Sequence, residues 1–158
     1  MTTISEGDPA PPFDLPTDGG GRTGAEALSG RPYVLYFYPK DDTPGCTTEA
    51  IGFTGAYPEF AELGVEVIGV SKDSVTSHDR FKAKHGLGFP LASDEPGSLV
   101  EAYGAWVEKS MYGKKYMGVE RATFLVDPDG RVAKIWRNVK VPGHVEEVLA
   151  AARGLATA

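Results

Sequence analysis

The stretch YVLYFYPKDDTPGCTTE, residues 33–49, predicts a β-strand that leads through a short loop into an α-helix. Its first six residues are apolar, aromatic or β-branched, which is typical of a buried strand. Pro39 ends that strand because it cannot donate to a sheet ladder. Thr43 is a typical N-cap, and Pro44 suits the first helical position, where a missing N–H costs nothing. Cys46 therefore falls in the first turn of the predicted helix.

Cys46 is the single cysteine of the chain, so its thiol cannot form an internal disulfide or join a multi-cysteine metal site. The unpaired N–H groups and the positive dipole end of a helix N-terminus stabilise an anion, which favours a reactive thiolate. A buried structural cysteine is the alternative. The neighbouring Pro, Gly, Thr and Asp residues are not the apolar surroundings typical of such a cysteine. We therefore interpret Cys46 as a nucleophile.

These residues resemble a known family. Pro39, Thr43 and Cys46 match the Pro-x-x-x-Thr-x-x-Cys signature of peroxiredoxins, and the longer string YPKDDTPGCTTE is similar to the bacterioferritin-comigratory-protein, or peroxiredoxin Q, branch. The similarity continues in family order through most of the chain, in the strings GVSKDS at 69–74, FPLASD at 89–94, RATFLVD at 121–127 and DG at 129–130.

The resemblance implies an α/β, thioredoxin-like fold with a mixed central sheet flanked by helices. It implies a thiol-dependent peroxidase without a cofactor, which reduces hydrogen peroxide and organic hydroperoxides through a sulfenic acid on Cys46. Thr43 would hydrogen-bond the substrate, and Pro39 would shield the pocket. Arg121 stands just before a predicted strand and would otherwise be read as a surface charge. The resemblance makes it catalytic, a role that suits a permanently charged group with several donors.

Two further residues are candidates for substrate binding. Gly45 would let the backbone approach the substrate closely. Glu49 lies one turn after Cys46, and we interpret it first as a carboxylate that favours the start of the helix, with a neighbour of the site as the alternative.

A more acidic thiol is also a weaker nucleophile, so most of the acceleration is expected from Arg121, Thr43 and backbone N–H groups.

The chain departs from its branch in one respect. Many members carry a resolving cysteine five residues after the first, where this chain has Ile51, and others carry one on the helix that corresponds to 76–85. Neither position holds a cysteine here. The expectation is a one-Cys peroxidase, whose turnover requires an external thiol from thioredoxin, glutaredoxin or a low-molecular-weight compound.

Length and composition indicate the number of domains and the kinds of partner that the chain could bind. The 158 residues are expected to form one domain, 1–158, and the net charge of −6 argues against binding to nucleic acid. No secretory signal or membrane-spanning run is recognised, so the expected location is the cytoplasm. We expect a monomer, with a dimer as the alternative.

The remaining elements follow from periodicity and turn residues. Residues 7–20 read as an extended arm that points Phe13 and Leu15 inward. Pro58 is expected to break or kink the helix that begins at Pro44, with a second segment ending near Gly64. The other predicted elements are strands at 33–38, 65–70 and 89–92, helices at 44–55, 74–84, 97–103 and 145–153, and a β-hairpin formed by 123–126 and 132–136.

A dithiol site and a histidine metal site both lack the sequence pattern that they require. No Cys-x-x-Cys pair exists, and His78, His85 and His144 lack metal-ligand spacing. A Cys–His protease remains open on residue counts, because His144 could approach Cys46 in space. A thioredoxin-fold redox sensor or binding module that uses Cys46 as a switch is the main rival to an enzyme. The segment 104–118 either covers the site or packs as ordinary structure.

Overall fold

A five-stranded mixed sheet forms the centre of the computed structural model, which describes residues 4–156. The nine strands are β1 Asp14–Pro16, β2 Arg22–Gly24, β3 Tyr33–Phe37, β4 Glu66–Ser71, β5 Leu91–Ser93, β6 Trp106–Met111, β7 Lys114–Val119, β8 Ala122–Val126 and β9 Val132–Trp136. The four α-helices are α1 Pro44–Glu62, α2 Val75–His85, α3 Ser98–Ala102 and α4 His144–Ala156. The predicted domain bounds, 1–158, extend beyond the described residues and stay a prediction.

Strand β3 lies in the middle of the sheet order β5-β4-β3-β8-β9. It runs parallel to β4 and antiparallel to β8, while β4 is parallel to β5 and β8 is antiparallel to β9. All five residues of β3 are buried, because alternate side chains enter the cores on the two faces of the sheet. The end of this central strand delivers the loop that leads to Cys46.

The two faces of the sheet carry different layers. Helices α1, α2 and α4 supply the first core, in which Phe53 and Phe60 of α1 are fully buried. Helix α3, the N-terminal arm and the β6–β7 hairpin cover the second core. Phe13 and Leu15 are half-buried against that second core, which confirms their inward orientation. No helix among residues 4–156 is long and apolar enough to cross a membrane.

Most predicted elements are confirmed with ends that differ by one to three residues. The central strand ends at Phe37, and α2 is bounded as its sequence indicates. The Ser74 hydroxyl accepts a hydrogen bond from the Ser77 N–H, and Gly86 ends the helix with a left-handed conformation, φ 63°. The hairpin of β8 and β9 is also confirmed.

The predicted break at Pro58 is wrong. Helix α1 continues without interruption from Pro44 to Glu62, with Pro58 inside it. Pro58 lies on the exposed side of the helix, whereas Phe53 and Phe60 on either side of it are buried in the same core. Packing of these aromatic residues compensates for the one hydrogen bond that proline cannot make.

The β6–β7 hairpin is a feature that the sequence analysis missed. Its strands are joined by a two-residue turn, Tyr112-Gly113, with φ values of 52° and 78°. Positive φ at both turn residues is the type I′ conformation, which suits hairpins. Trp106 packs at the base of the hairpin against the second core, whereas Tyr112 at its tip is 98% exposed.

Candidate active site

Cys46 lies in the first turn of α1, with its side chain almost completely buried. Thr43 is the N-cap residue, and its carbonyl oxygen accepts a hydrogen bond from the Thr47 N–H at 2.8 Å. The backbone therefore begins the helix where the sequence predicts. The sulfur atom is held in the first turn of the helix, as predicted.

Arg121 reaches the sulfur from the neighbouring strand. Because β3 and β8 are antiparallel, Phe37 at the end of β3 pairs with Ala122 at the start of β8. Arg121 therefore stands beside the loop that follows β3. Its Nη2 atom donates a hydrogen bond to the Cys46 sulfur at 3.4 Å, and its side chain is 18% exposed.

Glu49 holds the other side of the same guanidinium. Arg121 Nη1 donates to Glu49 Oε1 at 2.7 Å, and the Glu49 side chain is completely buried. Its second oxygen has no hydrogen-bond partner among the described residues. Burial raises the pKa of Glu49 to about 7, although Arg121 acts in the opposite direction. Burial lowers the pKa of Arg121, but the Glu49 carboxylate and Cys46 outweigh that effect and raise it.

The preferred sequence interpretation of Glu49, a first-turn carboxylate that stabilises the helix start, is wrong. The structure makes Glu49 a neighbour of the site, one turn beyond Cys46 on the buried face of α1. The three-residue spacing between Cys46 and Glu49, which places both side chains on one face of a helix, was the available signal. Only the position of Arg121 on another strand shows which way the carboxylate points.

Gly45 allows the guanidinium to approach. A Cβ atom on Gly45 would lie 3.1 Å from Arg121 Nη2, which is closer than nearly all real contacts of this kind. The predicted close approach of a substrate to Gly45 stays a prediction. The structure shows a close contact of Gly45 with Arg121.

Thr43 does not cap α1 with its side chain, contrary to the expectation. Its hydroxyl donates to the Lys40 carbonyl oxygen at 2.9 Å. That bond fixes the direction of the hydroxyl proton and leaves the oxygen able to accept a further hydrogen bond. Pro39, half-buried, lines a cavity together with Arg121, which is consistent with its predicted shielding role.

A buried pair that the sequence analysis missed anchors the loop before Thr43. His78 Nδ1 lies 2.7 Å from Asp41 Oδ2, and both side chains are almost fully buried. His78 Nε2 lies 3.0 Å from the Ala92 carbonyl oxygen, which can only accept, so this nitrogen carries a proton. Asp41 also accepts hydrogen bonds from the Tyr38 and Ser77 hydroxyls, at 2.6 and 2.7 Å.

The buried Asp41 side chain therefore ties the loop to Tyr38 and to two residues of α2, Ser77 and His78. From the sequence, His78 was judged only to lack the spacing of a metal ligand. The adjacent Asp42 is exposed and pairs with Lys84 and His85, at 2.8 and 2.9 Å. Both loop aspartates are thus paired, and both bind to α2.

The third histidine has a different partner. His144 Nε2 and Thr123 Oγ1 form a hydrogen bond at 2.8 Å, and burial lowers the pKa of His144. This arrangement gives no support to a Cys–His pair. Within residues 4–156, no cluster of three His, Cys, Asp or Glu side chains is placed to hold a metal ion.

Two cavities lie near the residues around Cys46. The first, here called the apolar cavity, has a volume of about 590 Å³ and lies between α1, including Gly45 and Gly52, and residues 141–146. The second, here called the charged cavity, has a volume of about 440 Å³ and lies between strand β6 and residues 138–139, with Arg121 in its wall. The two cavities differ in chemical character, and each includes a residue that contacts or adjoins Cys46.

Comparison with known proteins identifies the family. The model of the AhpC/TSA family matches residues 6–135. Peroxiredoxin Bcp from Xanthomonas campestris is 52% identical over 145 residues, which cover 90% of this chain and 91% of the relative. Peroxiredoxin Bcp from Bacillus subtilis is 50% identical over 147 residues, which cover 93% of this chain and 94% of the relative.

Solved structures agree with this result. Xanthomonas campestris peroxiredoxin Q superposes with a TM-score of 0.87 at 50% identity, over 91% of each chain. A Cys-to-Ser mutant of Xylella fastidiosa PrxQ gives a TM-score of 0.92 at 41% identity, over 98% of each chain. The predicted thioredoxin-like fold is confirmed. The chain belongs to the AhpC/TSA family, among the thiol-dependent peroxidases of its Bcp, or peroxiredoxin Q, branch.

Proposed function

We propose that Cys46 is the peroxidatic nucleophile and that the chain works as a one-Cys peroxidase. The Cys46 thiolate attacks the terminal oxygen of a hydroperoxide, an S–O bond forms and the O–O bond breaks. The hydroperoxide is reduced to water or an alcohol, and Cys46 becomes a sulfenic acid. The single observation that carries this proposal is the contact of Arg121 Nη2 with the buried Cys46 sulfur at 3.4 Å.

Arg121 stabilises the charge that moves from sulfur to oxygen during the attack. Its guanidinium stays protonated and presents several donors in a fixed plane, so that one donor can serve the sulfur while others serve the peroxide oxygens. Glu49 holds this plane in place through its bond to Nη1. The Thr43 oxygen accepts a hydrogen bond from the hydroperoxide O–H, because its own proton is directed to Lys40.

Organic hydroperoxides are proposed as substrates beside hydrogen peroxide. The apolar cavity borders Gly45 at the start of α1 and has room for an alkyl group. One Xanthomonas campestris relative, 49% identical to this chain, has a structure described in terms of alkyl peroxide reduction activity.

The sulfenic acid must be reduced by a thiol from outside the chain. Two solved structures of Xanthomonas campestris peroxiredoxin Q are Cys-to-Ser mutants at two different positions, so that protein has at least two cysteines. This chain has one. We propose that the chain is a monomer and that thioredoxin, glutaredoxin or a small thiol reduces its oxidised Cys46.

Two variants and one chemical probe test this function. Cys46→Ser should abolish peroxide consumption while the chain stays folded, since a neutral hydroxyl cannot replace a thiolate. One equivalent of peroxide should make the wild-type protein form an adduct with a sulfenate-trapping dione at Cys46, and addition of a thiol should remove that reactivity. Repeated turnover with excess thiol separates an enzyme from a sensor, which would be oxidised only once.

Two outcomes would contradict the proposal. Residual activity above a few per cent in Cys46→Ser would assign the chemistry to another residue. Quantitative disulfide-linked dimer on non-reducing gels, without a dione adduct, would mean that two copies of Cys46 resolve each other.

A further inference from the structure

The charged cavity holds a cation that the peroxide chemistry does not use. Lys109 of β6 lines the cavity together with Arg121. Its side chain is half-buried, and its aliphatic part lies beside Gly118, where an added Cβ would be 3.2 Å from Lys109 Cδ. Within residues 4–156, the Lys109 ammonium makes no hydrogen bond and no ion pair shorter than 4 Å.

The acidic residues of the same cavity are already engaged. Glu120 accepts a hydrogen bond from the Asn138 N–H at 2.7 Å, and it pairs with Arg137 at 3.5 Å. Glu108 pairs with Lys115 across the hairpin at 3.6 Å. Lys109 therefore remains as a cation with no acceptor of its own in the cavity wall.

Lys109 lies near the positive charge of Arg121, and both side chains line the charged cavity. Burial and the nearby Arg121 guanidinium lower the pKa of Lys109, while Cys46 and Glu120 act in the opposite direction. The Arg121 charge is balanced by Glu49 at 2.7 Å, so it does not require a ligand of its own. A carboxylate bound at Lys109 would supply the missing partner and would bring the rest of its molecule close to the Cys46 sulfur.

We propose that the charged cavity binds the carboxylate of a small thiol that reduces the Cys46 sulfenic acid, and that Lys109 holds this carboxylate. This inference rests on the one-Cys function proposed above. The thiol is preferred to a carboxylate-bearing hydroperoxide because the apolar cavity, which borders Gly45, already suits the substituent of a hydroperoxide. The charged cavity is large enough for a second small molecule.

The reaction at this site balances with two thiols. The first thiolate attacks the sulfenic sulfur of Cys46, an S–S bond forms, the S–O bond breaks and the oxygen leaves as water after protonation. The second thiolate attacks the sulfur of the bound thiol and releases a small-molecule disulfide and the Cys46 thiolate. Two thiols are oxidised by two electrons, and the sulfenic acid is reduced by two.

The test compares a carboxylate thiol with a neutral one of the same shape. Protein is oxidised with one equivalent of hydrogen peroxide and mixed with 3-mercaptopropionate or its amide, and the loss of dione-reactive Cys46 is timed. Rates are divided by the thiolate concentration of each compound, because the two thiols differ in acidity. The ratio of the two rates within one variant cancels any change in the reactivity of Cys46 itself.

The wild-type protein should prefer the carboxylate thiol by roughly five- to tenfold at low ionic strength, and added salt should weaken that preference. Lys109→Gln should bring the ratio close to one, and Lys109→Glu should reverse it. Lys114→Gln, which removes an exposed lysine from the same hairpin, should keep the wild-type ratio.

The outcomes are separable. If no dione-reactive sulfenic acid forms at all, the proposed function itself fails. If the acid forms but the two thiols react equally in the wild-type protein, or Lys109→Gln keeps the preference, the carboxylate site is wrong. A preference that appears only when carboxylate-bearing and neutral hydroperoxides are compared in the oxidation step would assign the site to the other reactant and overturn the inference.

Discussion

Gly45 and Arg121 lie so close together that a Cβ at position 45 would be 3.1 Å from Nη2, and the guanidinium would have to shift by a few tenths of an ångström. The same Nη2 contacts the Cys46 sulfur. A side-chain atom added at position 45 should therefore displace the Arg121 guanidinium without disrupting the fold.

Gly45→Ala is expected to lower kcat/KM for hydrogen peroxide by about tenfold, since a misplaced donor stabilises the transition state less. The free energy of unfolding should change little. Gly55→Ala is the matched control in the same helix, where an added Cβ meets nothing within 4 Å. It should keep full activity and raise the free energy of unfolding by about 1 kcal/mol. Equal activity of the two variants would contradict this account of Gly45.

Arg121→Lys is expected to lower kcat/KM by about 100-fold or more, although the charge is kept. One ammonium group cannot reproduce two donors that serve Glu49 and Cys46 at the same time. Arg22→Lys, at an exposed ion pair with Asp14, provides the control for the same substitution and should be neutral. Steady-state peroxide kinetics measure both, and wild-type kinetics in Arg121→Lys would remove Arg121 from the mechanism.

Thr43→Val should lower kcat/KM by roughly 10- to 100-fold, because it removes both the bond to Lys40 and the oxygen that accepts a hydrogen bond from the hydroperoxide. Thr43→Ser keeps the hydroxyl and should remain within a few-fold of the wild type. Helix stability should suffer little in either variant, since the side chain does not cap α1. If the Val and Ser variants are equally active, only the shape of the loop matters.

Glu49→Gln should change how stability depends on pH. The pKa of Glu49 is raised from 4.5 to about 7 in the folded chain, so the folded state holds this proton more tightly than the unfolded state. Its contribution to stability is therefore complete below pH 4.5 and is lost as the pH rises through about 7, a change of about 3 kcal/mol.

Chemical denaturation of wild type and Glu49→Gln at pH 4.5 and pH 8 measures this contribution. The variant should gain about 3 kcal/mol relative to the wild type between the two pH values. Glu62→Gln, which removes an exposed carboxylate from the end of the same helix, is the control. If the difference in the free energy of unfolding between Glu49→Gln and the wild type does not vary with pH, burial does not raise the pKa of Glu49.

The sequence predicted those parts of the fold that depend on local patterns. The buried strand before Cys46, helix α2 and the β8–β9 hairpin all follow from periodicity and turn residues. Pro58 was misjudged because its cost is met by aromatic packing between α1 and the sheet, which no local pattern reveals. The turn at Tyr112-Gly113 lacks the usual Asn-Gly signal, so its hairpin was not recognised.

In the candidate site, too, some residues were recognised from local sequence patterns and others only from the tertiary structure. Cys46, Thr43 and Arg121 were recognised through short strings, and the structure brings the sulfur and the guanidinium together. The partners of Glu49 and Asp41 were not, because Arg121 and His78 lie 72 and 37 residues away along the chain. Burial of an acidic side chain depends on which elements pack over it, and only the tertiary structure defines that.

The exposed methionines of the β6–β7 hairpin affect how the mass of the oxidised chain is interpreted. Met111 and Met117 are 56% and 49% exposed and lie on the hairpin that borders the charged cavity. Excess peroxide converts such thioethers to sulfoxides, and each gains one oxygen. The mass of an intact chain therefore counts methionine and cysteine damage together, and a methionine sulfoxide reductase would reverse only the part that belongs to the hairpin.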